Sequence, residues 1–173
     1  MRKIIILTGN ELRHQFFRIK VAADKNITVI ASFCEGTEKS LHNRIYGNPD
    51  SSEIEKKHVN DRSKTEKLFF KDIIDSENDL SNPILIKKGE INSHNIVSQI
   101  KNLNPDLLVC YGSSLIKSDL LNFFNDKFLN VHLGLSPYYR GSGTNIFPLV
   151  NYEPQMVGAT FMYIDSGVDT GKI

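Results

Sequence analysis

Lys3-Ile4-Ile5-Ile6-Leu7-Thr8-Gly9-Asn10 is a β-branched apolar run that breaks off at a turn, and the residues after it place Leu12, Phe16, Ile19 and Ala23 at helical spacing. Strand, turn and helix follow one another in this stretch, and the unit recurs downstream. Ile27 to Phe33 is a second β-rich run with little alternation, as expected of a strand covered on both faces. Ile84 to Ile86 and Asp106 to Tyr111 repeat the pattern. Between them a helical segment from about Ser93 to Asn102 carries Ile96, Val97 and Ile100. Asn104-Pro105 ends that helix, because proline pushes the residue before it away from helical angles. Ser118 to Phe124 reads as a short helix capped by Ser118, and Phe128 to His132 as the next strand. A helical stretch near Asn145 to Asn151 and a last strand over Val157 to Ile164 complete the series. The alternation predicts an α/β fold: an open, mostly parallel sheet with helices on both faces.

The segment from about Gly36 to Asp79 interrupts this rhythm as a helical insertion or connection. It begins with turn residues, Gly47-Asn48-Pro49-Asp50-Ser51-Ser52, and continues as a charged stretch in which His58, Arg62, Glu66 and Phe70 fall four apart. On a helix these four share one stripe. The expectation is a solvated helix whose Phe69 and Phe70 dock on the core.

With 173 residues, 40% hydrophobic and 24% charged, the chain has the size and composition of one globular domain. Lys+Arg 21 against Asp+Glu 20 leaves a formal charge of +1, without the overall basic bias of a nucleic-acid-binding protein. No stretch approaches the roughly 18 apolar residues of a membrane span, and the N-terminal run is too short for a signal peptide. A cytoplasmic protein without membrane association is expected. Cys34 and Cys110 each lie in an apolar run with no second ligand at metal-binding spacing, so they are read as buried free thiols.

In an open parallel sheet, ligands bind beyond the carboxyl ends of the strands. Four segments stand there: Thr8-Gly9-Asn10, Tyr111-Gly112-Ser113-Ser114, Asn130-Val131-His132-Leu133-Gly134, and Ser166-Gly167-Val168-Asp169-Thr170-Gly171. Asn130 and His132, two apart on a strand, point to the same face. An amide beside an imidazole can stabilise a developing oxyanion, and the imidazole can also carry a proton. A loop-fixing Asn and a satisfied core His would read the same way. Asp169, between Gly167 and Gly171, could orient the imidazole or could be ordinary turn chemistry. One glycine in Thr8-Gly9-Asn10 makes neither a P-loop nor a dinucleotide fingerprint, and no serine sits in a nucleophile elbow.

Asn130-Val131-His132-Leu133-Gly134-Leu135-Ser136-Pro137-Tyr138-Tyr139-Arg140-Gly141 resembles the Asn-x-His, Leu-x-Pro-x-x-Arg-Gly signature of the folate-dependent formyltransferases. Asp165-Ser166-Gly167-Val168-Asp169-Thr170-Gly171 resembles the same family's Asp-x-Gly-x-Asp-Thr-Gly. The two occur in the family's order, and the resemblance runs from about Asp106 to the C-terminus. It implies a Rossmann-like formyltransferase fold and transfer of a formyl group from 10-formyltetrahydrofolate to a primary amine, with no metal. Asn130, His132 and Asp169 match the family's catalytic positions. Ser113, Ser114, Leu115 and Ile116 match one wall of the folate pocket, and Ile164, Asp165 and Gly167 lie on the other. Thr8, Gly9, Asn10, Tyr138, Tyr139 and Arg140 are candidates for acceptor contacts, although packed aromatics beside a structural Arg are an equal reading.

The chain departs from the family at two places. Leu133-Gly134 stands where the tRNA and purine enzymes have Pro-Ser, and Thr8-Gly9-Asn10 lacks the glycine-rich phosphate loop of the glycinamide ribonucleotide enzymes. These departures speak against a mononucleotide phosphate held in a purine-type loop, and the expectation is a small, sugar-linked amine acceptor. Methionyl-tRNA formylation and a non-catalytic folate-binding module are the alternatives. Since the second signature ends at Gly171 and the family's sheet continues past it, a single catalytic domain over 1–173 is expected, either a fragment cut at its active-site loop or a fold that closes early. The resemblance leaves the oligomeric state open.

Overall fold

The computed structural model describes residues 1–173. Six strands form one sheet in the order β3-β2-β1-β4-β5-β6: β1 Arg2–Thr8, β2 Ile27–Glu35, β3 Pro83–Ile86, β4 Leu107–Tyr111, β5 Phe128–His132 and β6 Thr160–Tyr163. The first five pair in parallel, while β6 runs antiparallel beside β5, with His132 opposite Thr160 and Asn130 opposite Met162. The sheet is thus the open, mostly parallel one that the alternation predicts, and it has the Rossmann-like form that the resemblance implies. Its direction of growth reverses between β1 and β4, which opens a crevice at their carboxyl ends.

Alternation along β1 builds two apolar layers, because successive side chains leave opposite faces of a strand. Ile5 and Leu7 join Phe33, Leu108, Phe128 and the inner faces of α4 (His94–Leu103) and α5 (Ser118–Phe124) in the larger core. Ile4 and Ile6 join Val29 on the other face, against Phe17 and Val21 of α1 (Leu12–Ala22). The Ser93 hydroxyl accepts the Ile96 N–H and starts α4, and Asn104 closes it in the left-handed region at φ 45°. For α5 the cap is Lys117 rather than Ser118, which is the first helical residue and makes no capping bond.

The segment 36–79 folds as α2 (Leu41–Tyr46) and the long α3 (Glu53–Ser76), whose start is closed by Ser52 and Glu55 bonding each other's backbone N–H groups. Arg62, Glu66 and Phe70 of the predicted stripe lie on the α1 side, while His58 is exposed. Glu66 accepts from Arg13 at 2.6 Å, and the Phe70 ring lies 4.8 Å from that of Phe16. Phe69, expected on the core, is exposed, since its direction on α3 leads away from α1. Arg18 of α1, itself buried, donates from Nη2 to Asp79 at 2.8 Å and so anchors the chain ahead of β3. Burial opposes the Asp79 charge, but hydrogen bonds from Ser81 and the Arg18 guanidinium outweigh it and hold the carboxyl below its ordinary range.

Three further elements differ from expectation in their bounds. β2 runs on to Glu35 because β3 offers backbone partners as far as Ile86, whatever the polarity of the side chain. The last strand contracts to Thr160–Tyr163, since the Gly158 N–H is taken by the Asn145 side chain at 2.9 Å, and the helix ahead of it, α6, is only Phe147–Val150. No helix is long and apolar enough to cross a membrane.

Candidate active site

Beyond the carboxyl ends of β1, β4 and β5 lies a cavity of about 550 Å³, within the roughly 300–1,000 Å³ of small-molecule sites. One wall is Ser113, Ser114, Leu115 and Ile116 after β4. The other is the loop from Ile164 to Gly171, including Asp165 and Gly167, and Asn130 and His132 stand at its base.

Three side chains converge there. Asp169 accepts the Asn130 amide at 3.0 Å through Oδ1 and lies 3.3 Å from His132 Nδ1 through Oδ2. The same Oδ2 accepts the Gly141 N–H at 3.0 Å, which ties the Arg140-Gly141 loop to the Asp169 loop. Asp169 sits at φ 52°, a left-handed backbone that Asp tolerates better than most residues. His132 is buried, and its Nε2 lies 2.9 Å from the Tyr139 carbonyl. Both ring nitrogens therefore face acceptors, and only a cationic ring donates to both at once.

The close approach to Tyr139 explains Gly134. A Cβ there would stand 2.7 Å from His132 Nε2 and 2.8 Å from the Tyr139 oxygen, so the glycine makes room for this hydrogen bond. Thr144 donates to the Leu133 carbonyl, and Thr160 donates to the Gly134 carbonyl at 2.6 Å while accepting the Ser136 N–H at 3.0 Å. The loop after His132 is held by these polar contacts.

The other candidates are distributed differently. Thr8 is buried and donates to the Tyr111 carbonyl at 2.6 Å, joining β1 to β4 outside the cavity. Gly9 is packed under the His14 ring, and Asn10 lines a smaller adjoining hollow. Tyr138 is exposed; the Tyr139 hydroxyl is bonded to Glu153 and accepts from Asn151 at 3.0 Å; Arg140 is exposed. None of these last three lines the main cavity, which takes Gly141 instead.

Several residues without a motif complete the surroundings. His14 lies at the crevice between β1 and β4, its ring 5.2 Å from Tyr111 and its Nδ1 accepting the Glu11 N–H at 3.2 Å. Burial first, then the charges of Arg13, Lys88, Arg62 and Arg18, push it down to about 3, so it is a neutral ring. Arg13 and Arg62 reach the cavity rim already paired with Glu11 and Glu66. Cys34 and Cys110 are free and buried; burial pushes Cys110, at the cavity floor, up to about 12. Glu35, at the end of β2, is fully buried yet accepts three hydrogen bonds. A charged residue directly after an apolar strand run, followed by Gly, was the signal for it in the sequence.

The sequence model of the formyl transferase family matches residues 3–173. Methionyl-tRNA formyltransferase of Finegoldia magna is 35% identical over 91 residues, which are 51% of this chain and 29% of that protein. The enzyme of the same name from Alkaliphilus oremlandii is 40% identical over 81 residues, 46% of this chain and 26% of that protein. The matched stretches thus span less than a third of these relatives. Among solved structures, phosphoribosylglycinamide formyltransferase from Anaplasma phagocytophilum superposes with a TM-score of 0.61 at 11% identity, covering 98% of this chain and 68% of that one, a likeness of fold. Both signatures meet in one cavity and the family pattern extends over nearly the whole sequence: this chain belongs to the formyl transferase family.

Proposed function

We propose that the protein transfers a formyl group from 10-formyltetrahydrofolate to the primary amine of a small, sugar-linked acceptor, with Asn130, His132 and Asp169 as the catalytic residues. The observation that carries this reading is the convergence of the Asn130 amide and the His132 imidazole on one carboxylate at the base of the cavity. The cavity fits the donor in kind. Its volume suits a drug-sized ligand, Leu115, Ile116, Met162 and Val168 supply apolar contact, and the Leu115 and Ile116 N–H groups have no partner within the chain.

When bound, the donor supplies a formyl carbon attached to nitrogen and open to attack by an amine. The new bond joins that carbon to the acceptor nitrogen, and the bond to the folate nitrogen breaks. Asn130 Nδ2 spends one hydrogen on Asp169 and keeps the other for the oxygen on which negative charge develops. His132 supplies the second donor, Nε2–H, which in the resting site is parked on the Tyr139 carbonyl. Asp169 holds the ring from the Nδ1 side and helps to take the proton that the amine loses, which returns to the folate nitrogen.

Two observations favour a small acceptor: the near-neutral charge of the chain, and the pairing of the rim arginines Arg13 and Arg62 with carboxylates, which leaves little open cation for a polynucleotide. The names of the curated relatives favour a second reading, methionyl-tRNA. The test is incubation of the protein and the 10-formyl donor with a panel of amino sugars, nucleotide-linked amino sugars and charged initiator tRNA, read by mass spectrometry. A formylated small amine sustains the first reading. Formylated methionyl-tRNA with steeply salt-dependent binding replaces it by the second, and donor binding without product in any arm favours a non-catalytic module.

A further inference from the structure

The Ser113–Ile116 wall carries no regular secondary structure, yet it is held on its outer side by two side chains from elsewhere. Glu35 Oε2 accepts the Ser114 N–H at 2.6 Å. The same carboxylate is fixed in turn by Lys88 Nζ at 2.9 Å and the Gly89 N–H at 2.8 Å. One turn further on, Asn92 Nδ2 donates to the Leu115 carbonyl at 2.9 Å, and its Oδ1 accepts the Lys117 N–H at 2.8 Å. Two backbone groups of the wall, and the N–H of Lys117 directly after it, are thereby consumed from behind. The N–H groups of Leu115 and Ile116 remain unpartnered within the chain.

From this geometry we infer that Glu35 and Asn92 are positioning residues: together they clamp the 113–117 strip in one register, so that its free backbone groups and the Leu115 and Ile116 side chains meet the formyl donor preorganised. The inference rests on the reading of this cavity as the donor site. A carboxylate with no solvent exposure, spent on one ammonium and two N–H groups, is costly to bury. Its position between β2, the β3–α4 connection and the strip gives it a geometric role that an apolar side chain cannot fill, because two of its three partners are backbone donors. Asn92 does the same with opposite polarity, matching one carbonyl and one N–H two residues apart. A strip so fixed lowers the ordering cost of ligand binding, and its loss is felt in affinity more than in the bond-making step.

The experiment compares the wild-type chain with Asn92→Ala, Glu35→Gln and Asn92→Asp by amide hydrogen exchange, tetrahydrofolate calorimetry and steady-state kinetics. Asn92 is partly exposed, so its variants remain informative if Glu35→Gln folds poorly. The expected result for Asn92→Ala is exchange at 114–117 faster by about tenfold, with the β1 and β4 amides unchanged. Folate affinity falls and donor KM rises about tenfold, while kcat at saturating donor changes by less than about threefold. Asn92→Asp, which keeps the acceptor for Lys117 and loses the donor to Leu115, falls between. Faster strip exchange or a lowered Tm with unchanged folate affinity overturns the inference and leaves the two residues structural. If the wild-type chain binds no tetrahydrofolate, the reading of the cavity fails on its own. The clamp then stands or falls on exchange, unchanged strip protection in both Asn92→Ala and Glu35→Gln overturning it.

Discussion

The sheet from β3 to β4 and the segment from 129 to 173 are held together by different forces. In the first, apolar side chains of β1, β2, β4, α4 and α5 are packed away from water on both faces. In the second, Pro148 and Met162 are the only buried apolar side chains, and Phe147, Leu149, Val150, Tyr152 and Phe161 are exposed. What shapes that segment is a set of polar bonds: Asp169 to Asn130 and Gly141, His132 to Tyr139, Thr160 to Gly134 and Ser136, Asn145 to Gly158. Burial supplies free energy without direction, whereas hydrogen bonds supply direction with little net free energy. One region stores stability and the other stores geometry, so mutations in the two should register in different measurements.

The sharpest contrast is expected at His132. His132→Ala should lower kcat by about 10³-fold or more while shifting Tm by no more than a few degrees, as measured by donor turnover and thermal melting. A loss of fold in place of a loss of rate would break the comparison. Leu108→Ala is its converse: a fully buried core side chain, whose removal should cost about 3–5 kcal/mol of stability in denaturant unfolding, with residual activity in the folded fraction.

Gly134→Ala tests whether the second region is as exacting as its contacts suggest. The added methyl meets His132 Nε2 and the Tyr139 carbonyl, and activity should fall by about ten- to a hundredfold with a modest change in Tm.

A separate effect should appear with pH. His14 is neutral in the folded chain, with its pKa near 3 against an ordinary value of 6.5. Between those values the unfolded chain binds a proton that the folded one refuses, so stability falls as pH drops from about 6.5 towards 3, by up to about 1.4 kcal/mol per pH unit. Melting from pH 7 to pH 4 should show this slope in the wild-type chain and a flatter one in His14→Gln. Smallest of all, Lys57→Ala removes an i, i+4 pair with Asp61 on the solvent side of α3, and its melting curve should coincide with that of the wild type within error.

The same division governs how much could be read in advance. Strand and helix identity followed from runs and periods, because burial acts on every side chain of an element and leaves a repeated signal. The boundaries that failed were those set by one backbone bond: Glu35 extending β2 against β3, Gly158 turned aside by Asn145, Lys117 in the place expected of Ser118. Phe69 and Phe70 show the limit of the stripe argument. The i, i+4 row containing Phe70 was legible, but which neighbouring aromatic would face inward depended on where α1 lay. In the site, Asn130, His132 and Asp169 were legible as candidates through their match to the two family signatures, residue type and spacing alone leaving a structural reading open. Asn92 had no such signature, since its partners lie far away in the chain, and Glu35 showed only as a charge after an apolar run.

Taken alone, the amino-acid sequence determined the α/β alternation, the family and the kind of chemistry its two signatures offer. These are local: a strand end can present an amide and an imidazole whatever surrounds it. Only the tertiary structure decided that Asp169 reaches both, that Tyr139 receives the imidazole, and that a carboxylate at the end of β2 holds the wall of the cavity. Hydrogen bonds demand distances within a few tenths of an ångström between groups set far apart in the chain, and that agreement exists only once the sheet has brought the strand ends together.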